Sequence, residues 1–251
     1  MNNKNKLSGK IAIVTGGAQG MGFAIAEMLA ENGATVTICD INGDNAATAA
    51  HKIIAKGFVA SGIRMDVADE NAVNSCMSEI AAKYGTIDIL VNNAGILKPT
   101  RIDDISYAEW KLLMDVNLNG VFLCSKAVLP YMKQNNFGRI VNMSSSAGRS
   151  VSTLGGAHYT ASKAGVLGLT RAMAKEVSKF GITVNAVCPG LIDTEMVRRD
   201  CTPEMIKFYE SVFPIPRLGK PEEVAQLVLF LCLDSYITGA SLDINGGDLM
   251  I

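Results

Sequence analysis

The sequence predicts an α/β fold, a doubly wound parallel sheet with helices on both faces, in a single domain over residues 1–251. Three observations predict it. Short runs rich in Val and Ile alternate with longer helix-patterned segments along the whole chain, as expected of strands buried on both faces and joined by crossover helices. A hydrophobic content of 49% over 251 residues supplies a substantial core. No repeat, low-complexity tract or linker interrupts the alternation.

The elements follow in order. KIAIVT (10–15) reads as a strand, and GMGFAIAEMLAEN as a helix stopped by Gly33, a residue suited to the left-handed turn after a helix. ATVTICD (34–40) is the second strand, and the alanine-rich stretch 43–56 the second helix. FVASGIRMD holds the third strand, and Asp69 is placed to cap a helix ending near Tyr84 and Gly85. IDILVNN (87–93) is the fourth strand. SYAEW (106–110) offers a capping box, Ser106 with Glu109, to a long helix running to about Met132. GRIVNMSS is the fifth strand, 157–180 a further long helix ended by Gly181, and ITVNAVCPG the sixth strand. KPEEVA (220–225) opens a helix with proline in its first turn and acids behind it. SLDING (241–246) is the last strand. Residues 191–219 break the rhythm. Their Met196, Phe208, Tyr209 and Phe213 stand among charges and prolines, which predicts a mobile lid over a site.

Composition narrows the function. A formal net charge of −1 gives no attraction for nucleic acid or an anionic membrane. The opening MNNKNKLSGK is polar, and LVLFLCL is too short to span a bilayer. The six cysteines form no CxxC pair and there are only two histidines, so no metal site is expected. Reduced thiols in a cytoplasmic protein are the expectation.

TGGAQGMG (15–22) joins the first strand to the first helix. In that context the turn presents backbone N–H groups and a helix N-terminus to a phosphate. Gly16 permits the tight turn; Gly20 and Gly22 permit close approach of a pyrophosphate and of helix to strand. A glycine turn without a ligand is the plainer alternative. Asp40 closes the second strand, where a carboxylate accepts hydrogen bonds from ribose hydroxyls and repels a 2′-phosphate. No Lys or Arg stands in the glycine turn to offset it, so NAD (NADH) is favoured over NADP. Capping the next turn is the other role open to Asp40. In HYTASKAG (158–165), Tyr159 and Lys163 are four apart and share a helix face. The ammonium there is expected to lower the phenol pKa, which suits a general acid/base.

TGGAQGMG, NNAG (92–95), Asn117 within MDVNLNG, NMSSSAG (142–148), YTASK (159–163) and PGLIDT (189–194) occur in this order, and ITGASLDINGG follows near the end. Together they resemble the short-chain dehydrogenase/reductase family, over essentially the whole chain. The resemblance implies a Rossmann fold and hydride transfer between a nicotinamide cofactor and a carbonyl or alcohol. It implies Tyr159 as catalytic acid/base, Lys163 lowering its pKa and holding the nicotinamide ribose, and a serine binding the substrate oxygen. Asn117 would shape the long helix and hold a water behind Lys163. Ser144, Ser145 and Ser146 are consecutive. Gly148 points to Ser145 as the active one, although the spacing to Tyr159 is then one residue longer than usual in the family, and counting back from Tyr159 gives Ser146. The cofactor would lie against Gly16, Gln19, Gly20, Met21, Gly22, Asp40, Ile41, Asp66, Val67, Asn93, Ala94, Gly95, Tyr159, Lys163, Pro189, Gly190, Ile192 and Thr194. Gly95 reads equally as a structural turn, and Thr194 also as a helix cap. Leu97, Arg149 and Leu154 are the candidate substrate residues, with Arg198 and Arg199 as further cations. His158 reads as a packing or surface residue.

Three functions are compatible. The first is an NAD-dependent alcohol dehydrogenase or ketone reductase for a small or medium secondary alcohol. The second is a 3-oxoacyl-thioester reductase, which shares every motif but by family habit takes NADPH. The third is a non-catalytic nucleotide-binding protein, which the full catalytic set disfavours. The resemblance further implies a homotetramer joined through the two long helices and the C-terminal region. The small-residue face Ala161, Ala164, Gly165 and Gly168 is compatible with that packing.

Overall fold

The structure is a computed structural model that describes residues 5–251. The opening MNNK lies outside the described residues. Seven parallel strands form one sheet in the order β3-β2-β1-β4-β5-β6-β7. They are β1 (Ile11–Thr15), β2 (Thr35–Asp40), β3 (Ala60–Arg64), β4 (Ile89–Asn92), β5 (Gly138–Met143), β6 (Ile182–Pro189) and β7 (Ser241–Ile244). The strand order reverses between β1 and β4, which pair in register from Ala12 with Ile89 to Val14 with Val91. Such a reversal leaves a crevice beyond the carboxyl ends of the strands, the place where open α/β sheets bind ligands.

Helices cover both faces because residues of each strand point alternately to one side and the other. On one side pack α1 (Gly20–Glu31), α2 (Gly43–Ala55) and α9 (Pro221–Leu233). Their Ile25, Leu29, Ile53, Val224 and Val228 meet Val14, Ile38, Val91 and Val141. On the other side α3 (Glu70–Tyr84), α5 (Gly120–Gln134) and α6 (Ala157–Val177) bring Val73, Met77, Val128, Met132 and Val177 against Ile13, Leu90, Ile140 and Val184. The expected caps are present. Asp69 accepts from the N–H groups of Asn71 and Ala72, and Gly33, Gly85 and Gly181 all have positive φ.

The long helix after SYAEW is not continuous. It consists of α4 (Tyr107–Met114), a π-helical turn over Asp115–Asn119, and α5. Wider turns of this kind are frequent at functional sites, and this one holds Asn117. Tyr107–Gln134 is long and apolar enough to cross a membrane by length and composition alone. Here its Cys124, Val128 and Met132 are fully buried in the core. The expected capping box is half formed. Ser106 Oγ accepts the Glu109 N–H at 3.1 Å, while the Glu109 carboxylate reaches His158.

Residues 191–219 stay outside the sheet, as expected, but they are helical. α7 (Glu195–Asp200) and α8 (Pro203–Val212) pack around a small apolar cluster of Val197, Cys201, Phe213 and Leu218, to which α8 adds Ile206 and Tyr209. A parallel bridge between Ile192 and Gly219 ties the two ends of the excursion together. All six cysteines are buried free thiols, and the Cys39 and Cys76 sulfurs stand 3.7 Å apart.

Candidate active site

The glycine turn leaves β1 at the reversal and opens α1. A Cβ at Gly22 would stand 2.2 Å from the Gly16 carbonyl oxygen and 2.5 Å from Asn93 Nδ2. One at Gly16, where φ is +59°, would stand 2.8 Å from Ala94 Cα. Neither position accepts a side chain. Asn93 locks the turn from β4: its Nδ2 donates to the carbonyls of Thr15 and Gly16 at 3.0 and 2.9 Å. Thr15 Oγ1 in turn accepts the N–H groups of Asn93 and Ala94.

A cleft of about 290 Å³ opens in front of this turn. It is lined by Gly16, Gln19, Gly20, Met21, Gly22, Asp40, Ile41, Asp66, Val67, Asn93, Ala94, Gly95 and Thr194, all expected at the cofactor. Met65, Val116 and Glu195 line it as well and were not singled out in the sequence, as does Met196, one of the apolar residues expected in the lid. Glu195 follows the helix cap Thr194, and only the fold shows that α7 begins over the glycine turn, with Glu195 Oε2 3.4 Å from where a Gly20 Cβ would sit. Thr194 lines the cleft and also accepts the Val197 N–H to cap α7. Asp40 caps the next turn through the Asn42 N–H at 3.1 Å and accepts the Ala18 N–H at 3.3 Å, while still facing the cleft. The two glycines that admit no side chain, the backbone N–H groups at a helix start and Asp40 at the end of β2 fit a dinucleotide. Of the other residues expected at the cofactor, Tyr159, Gly190 and Ile192 line a neighbouring cavity, and Lys163 and Pro189 line neither. Pro189 is the buried last residue of β6, paired with Ile244.

A second cavity, of about 90 Å³, adjoins the first and shares Met21, Thr194 and Met196 with it. It is lined by Ser145, Ser146, Tyr159, Gly190 and Ile192, and by the predicted substrate residues Leu97 and Leu154. Arg149 is not at this cavity, contrary to expectation. Its guanidinium makes a two-pronged pair with Asp243 at 3.1 and 3.0 Å and donates to the Ser241 carbonyl. Arg198 and Arg199 are likewise tied, to Asp193 and Asp200.

The three serines diverge, as alternating backbone directions require. Ser144 Oγ donates to the Lys163 carbonyl at 2.8 Å. Ser145 is extended; its hydroxyl accepts the Ala147 N–H at 3.1 Å and, facing Tyr159, acts to lower the phenol pKa. Ser146 lines the cavity from the start of a short 3₁₀ turn.

Tyr159 and Lys163 share a face of α6, with Lys163 Nζ 5.8 Å from the ring centre. The expected lowering of the phenol by the ammonium is absent. Burial raises the Tyr159 pKa above its ordinary value, and Ser145 is the group that offsets it. The ammonium turns instead to the Met143 carbonyl at 2.8 Å, and burial pushes it down to about 8. Asn117 is fully buried in the π turn. It accepts the Ile96 N–H and donates to the Ile96 carbonyl, at 2.8 and 2.9 Å, and donates to Ser162 Oγ. Its amide thus fixes the strand-end turn beside Lys163.

A partly buried phenol, a neighbouring hydroxyl and a buried ammonium converge next to a dinucleotide-shaped cleft. Such a set can deliver a proton to a carbonyl oxygen and stabilise the charge that develops there.

Comparison with known proteins agrees with this geometry. A family model described as enoyl-(acyl carrier protein) reductase matches residues 16–248. An uncharacterized short-chain type dehydrogenase/reductase of Sinorhizobium fredii is 44% identical over 97% of this chain and 99% of its own. A 3-oxoacyl-[acyl-carrier-protein] reductase of Aquifex aeolicus is 42% identical over 96% of this chain and 98% of its own. A solved structure of a 3-oxoacyl-[acyl-carrier protein] reductase with bound NAD, from Brucella melitensis, superposes with a TM-score of 0.91 at 34% identity, over 99% of this chain and 94% of that one. The strand order, the glycine turn and these relatives lead to one conclusion: the chain belongs to the short-chain dehydrogenase/reductase family of nicotinamide-dependent oxidoreductases.

Proposed function

We propose that this protein is an NADH-dependent reductase that converts a ketone to a secondary alcohol, with 3-oxoacyl thioesters as its substrate class. The observation that carries the reaction is the convergence of Ser145, Tyr159 and Lys163 beside the glycine cleft. A bound nicotinamide supplies the hydride. Tyr159 donates its proton to the carbonyl oxygen, and Ser145 donates a hydrogen bond to the same oxygen. With its pKa raised by burial, Tyr159 is protonated at neutral pH, the form that reduction requires. Lys163, whose ammonium turns to the Met143 carbonyl beside Tyr159, would hold the nicotinamide ribose, and Asn117 holds the turn around Gly95 in place. Asp40 favours NADH, because a 2′-phosphate would meet its carboxylate.

The substrate class rests on two supports. Relatives named 3-oxoacyl-[acyl-carrier-protein] reductase are 39–42% identical across nearly the whole chain. Around Tyr159 the cavity offers Met21, Leu97, Leu154, Leu191 and Met196, while the neighbouring arginines are tied to aspartates. That lining suits a neutral ketone with an apolar neighbour better than a keto acid. The small size of the cavity favours a second reading, a dehydrogenase for a small neutral secondary alcohol. Residues 191–219 act as the lid in either case. The exposed Tyr107, Leu112 and Phe122 on α4 and α5 are the apolar surface a second copy would cover in a homotetramer. The free thiols favour a reducing, cytoplasmic setting.

NADH oxidation by the purified protein tests the substrate. Acetoacetyl thioesters, small diketones and keto acids are compared by kcat/KM. Preference for the thioester supports the first reading, preference for the diketone the second, and preference for the keto acid contradicts both.

A further inference from the structure

We infer that Glu109 and His158 form a positioning pair that sets the phenol of Tyr159. The inference rests on Tyr159 being the acid/base proposed above. Tyr159 lies in the first turn of α6, whose cap residue Gly156 has no side chain to satisfy the free N–H groups there. His158 takes over part of that role. Its Nδ1 accepts the Tyr159 N–H at 3.0 Å, a donor it shares with the Gly156 carbonyl at 3.1 Å. Because Nδ1 accepts, the ring hydrogen belongs to Nε2, which donates to Glu109 Oε1 at 3.0 Å. The imidazole is fully buried and so cannot swing away to water.

Glu109 belongs to α4, so the pair bolts the start of α6 to a different helix. The loop between them is equally tight. Gly156 N–H donates to the Lys98 carbonyl at 2.9 Å. A Cβ on Gly156 would stand 2.1 Å from the Thr100 carbonyl oxygen and 3.0 Å from His158 Cε1. Hydrogen bonds from Thr100 and then His158 hold the Glu109 carboxyl below its ordinary pKa, so it stays an acceptor. The capping box that Ser106 invites is given up for this link. A first turn held on this side by His158, and touched on the cavity side by Ser145, has one place for its phenol.

The test uses Glu109→Ala and Glu109→Gln beside Tyr159→Phe, in steady-state reduction of the best carbonyl substrate with NADH. The glutamine oxygen can still accept from Nε2. Glu109→Ala is expected to lower kcat by about 10- to 100-fold through misplacement alone, with the KM for NADH within about twofold and the melting temperature little changed. Glu109→Gln is expected to keep kcat within about threefold. An inactive Tyr159→Phe beside a fully active Glu109→Ala overturns the positioning pair alone. Equal losses in the alanine and glutamine variants, or a loss matched by weaker NADH binding, also overturn it. An active Tyr159→Phe overturns the role of Tyr159 and the pair with it.

Discussion

Replacing Lys163 by methionine should stabilise the fold while removing activity. Lys163 is 5% exposed, and its ammonium has one hydrogen-bond partner among the described residues, the Met143 carbonyl at 2.8 Å. Burial lowers its pKa from 10.5 to about 8, a penalty on the charged form of about 3 kcal/mol at about 1.4 kcal/mol per pH unit. Methionine has similar length and no charge. It leaves the Met143 carbonyl without its donor, at a cost of about 1 kcal/mol. The net gain at pH 7 is about 2 kcal/mol, or about 4–8 °C in Tm for a chain of this size. The gain depends on pH with a definite sign. At pH 7 the lysine is protonated folded and unfolded, so the penalty is present in full. Between about 8 and 10.5 the folded state has already released the proton that the unfolded state keeps, so the stability of the wild-type protein rises with pH. By pH 10 the penalty falls below about 1 kcal/mol and the advantage of the variant is gone. Urea unfolding of both proteins without cofactor, at pH 7 and pH 10, measures the margin. A variant less stable at pH 7, or a margin that does not shrink by pH 10, refutes the reasoning.

Two further outcomes follow from the site. Asp40→Ala removes a carboxylate facing the cleft, which should raise the kcat/KM ratio of NADPH to NADH about 10-fold or more, from about 1–2 kcal/mol of screened repulsion. An unchanged ratio in paired initial-rate assays would show that Asp40 does not choose the cofactor. Ser145→Ala should cost about 100-fold in kcat as an oxyanion donor is lost, while Ser146→Ala keeps kcat within a few-fold. The reverse order would transfer the role to Ser146.

The repeating layer structure is legible in the sequence because strands buried on both faces demand continuous Val and Ile runs, and helix stops demand glycine. The central strands and the three helix-ending glycines are legible that way, while the edge strands ASGIR and SLDI, only partly buried, are legible from their place in the alternation. The glycine turn and Asp40 were legible because their chemistry is local. What escaped depends on tertiary partners. The π turn at Asn117 looks like ordinary helix in one dimension. The tie of Arg149 to Asp243 joins residues 94 apart in sequence. The Tyr159–Lys163 spacing places two groups on one face, but burial and the Met143 carbonyl set their protonation. His158 resembled packing because Glu109, its partner, is distant in sequence and was assigned to a cap.

The central claim is that Tyr159 supplies the proton for an NADH-driven carbonyl reduction. Single-turnover loss of NADH absorbance with wild-type protein and Tyr159→Phe, on the best carbonyl substrate and at saturating cofactor, tests it most directly. The account predicts NADH binding within about twofold in both proteins and a rate about 100-fold or more slower in the variant. A variant that binds NADH and turns over at the wild-type rate contradicts it.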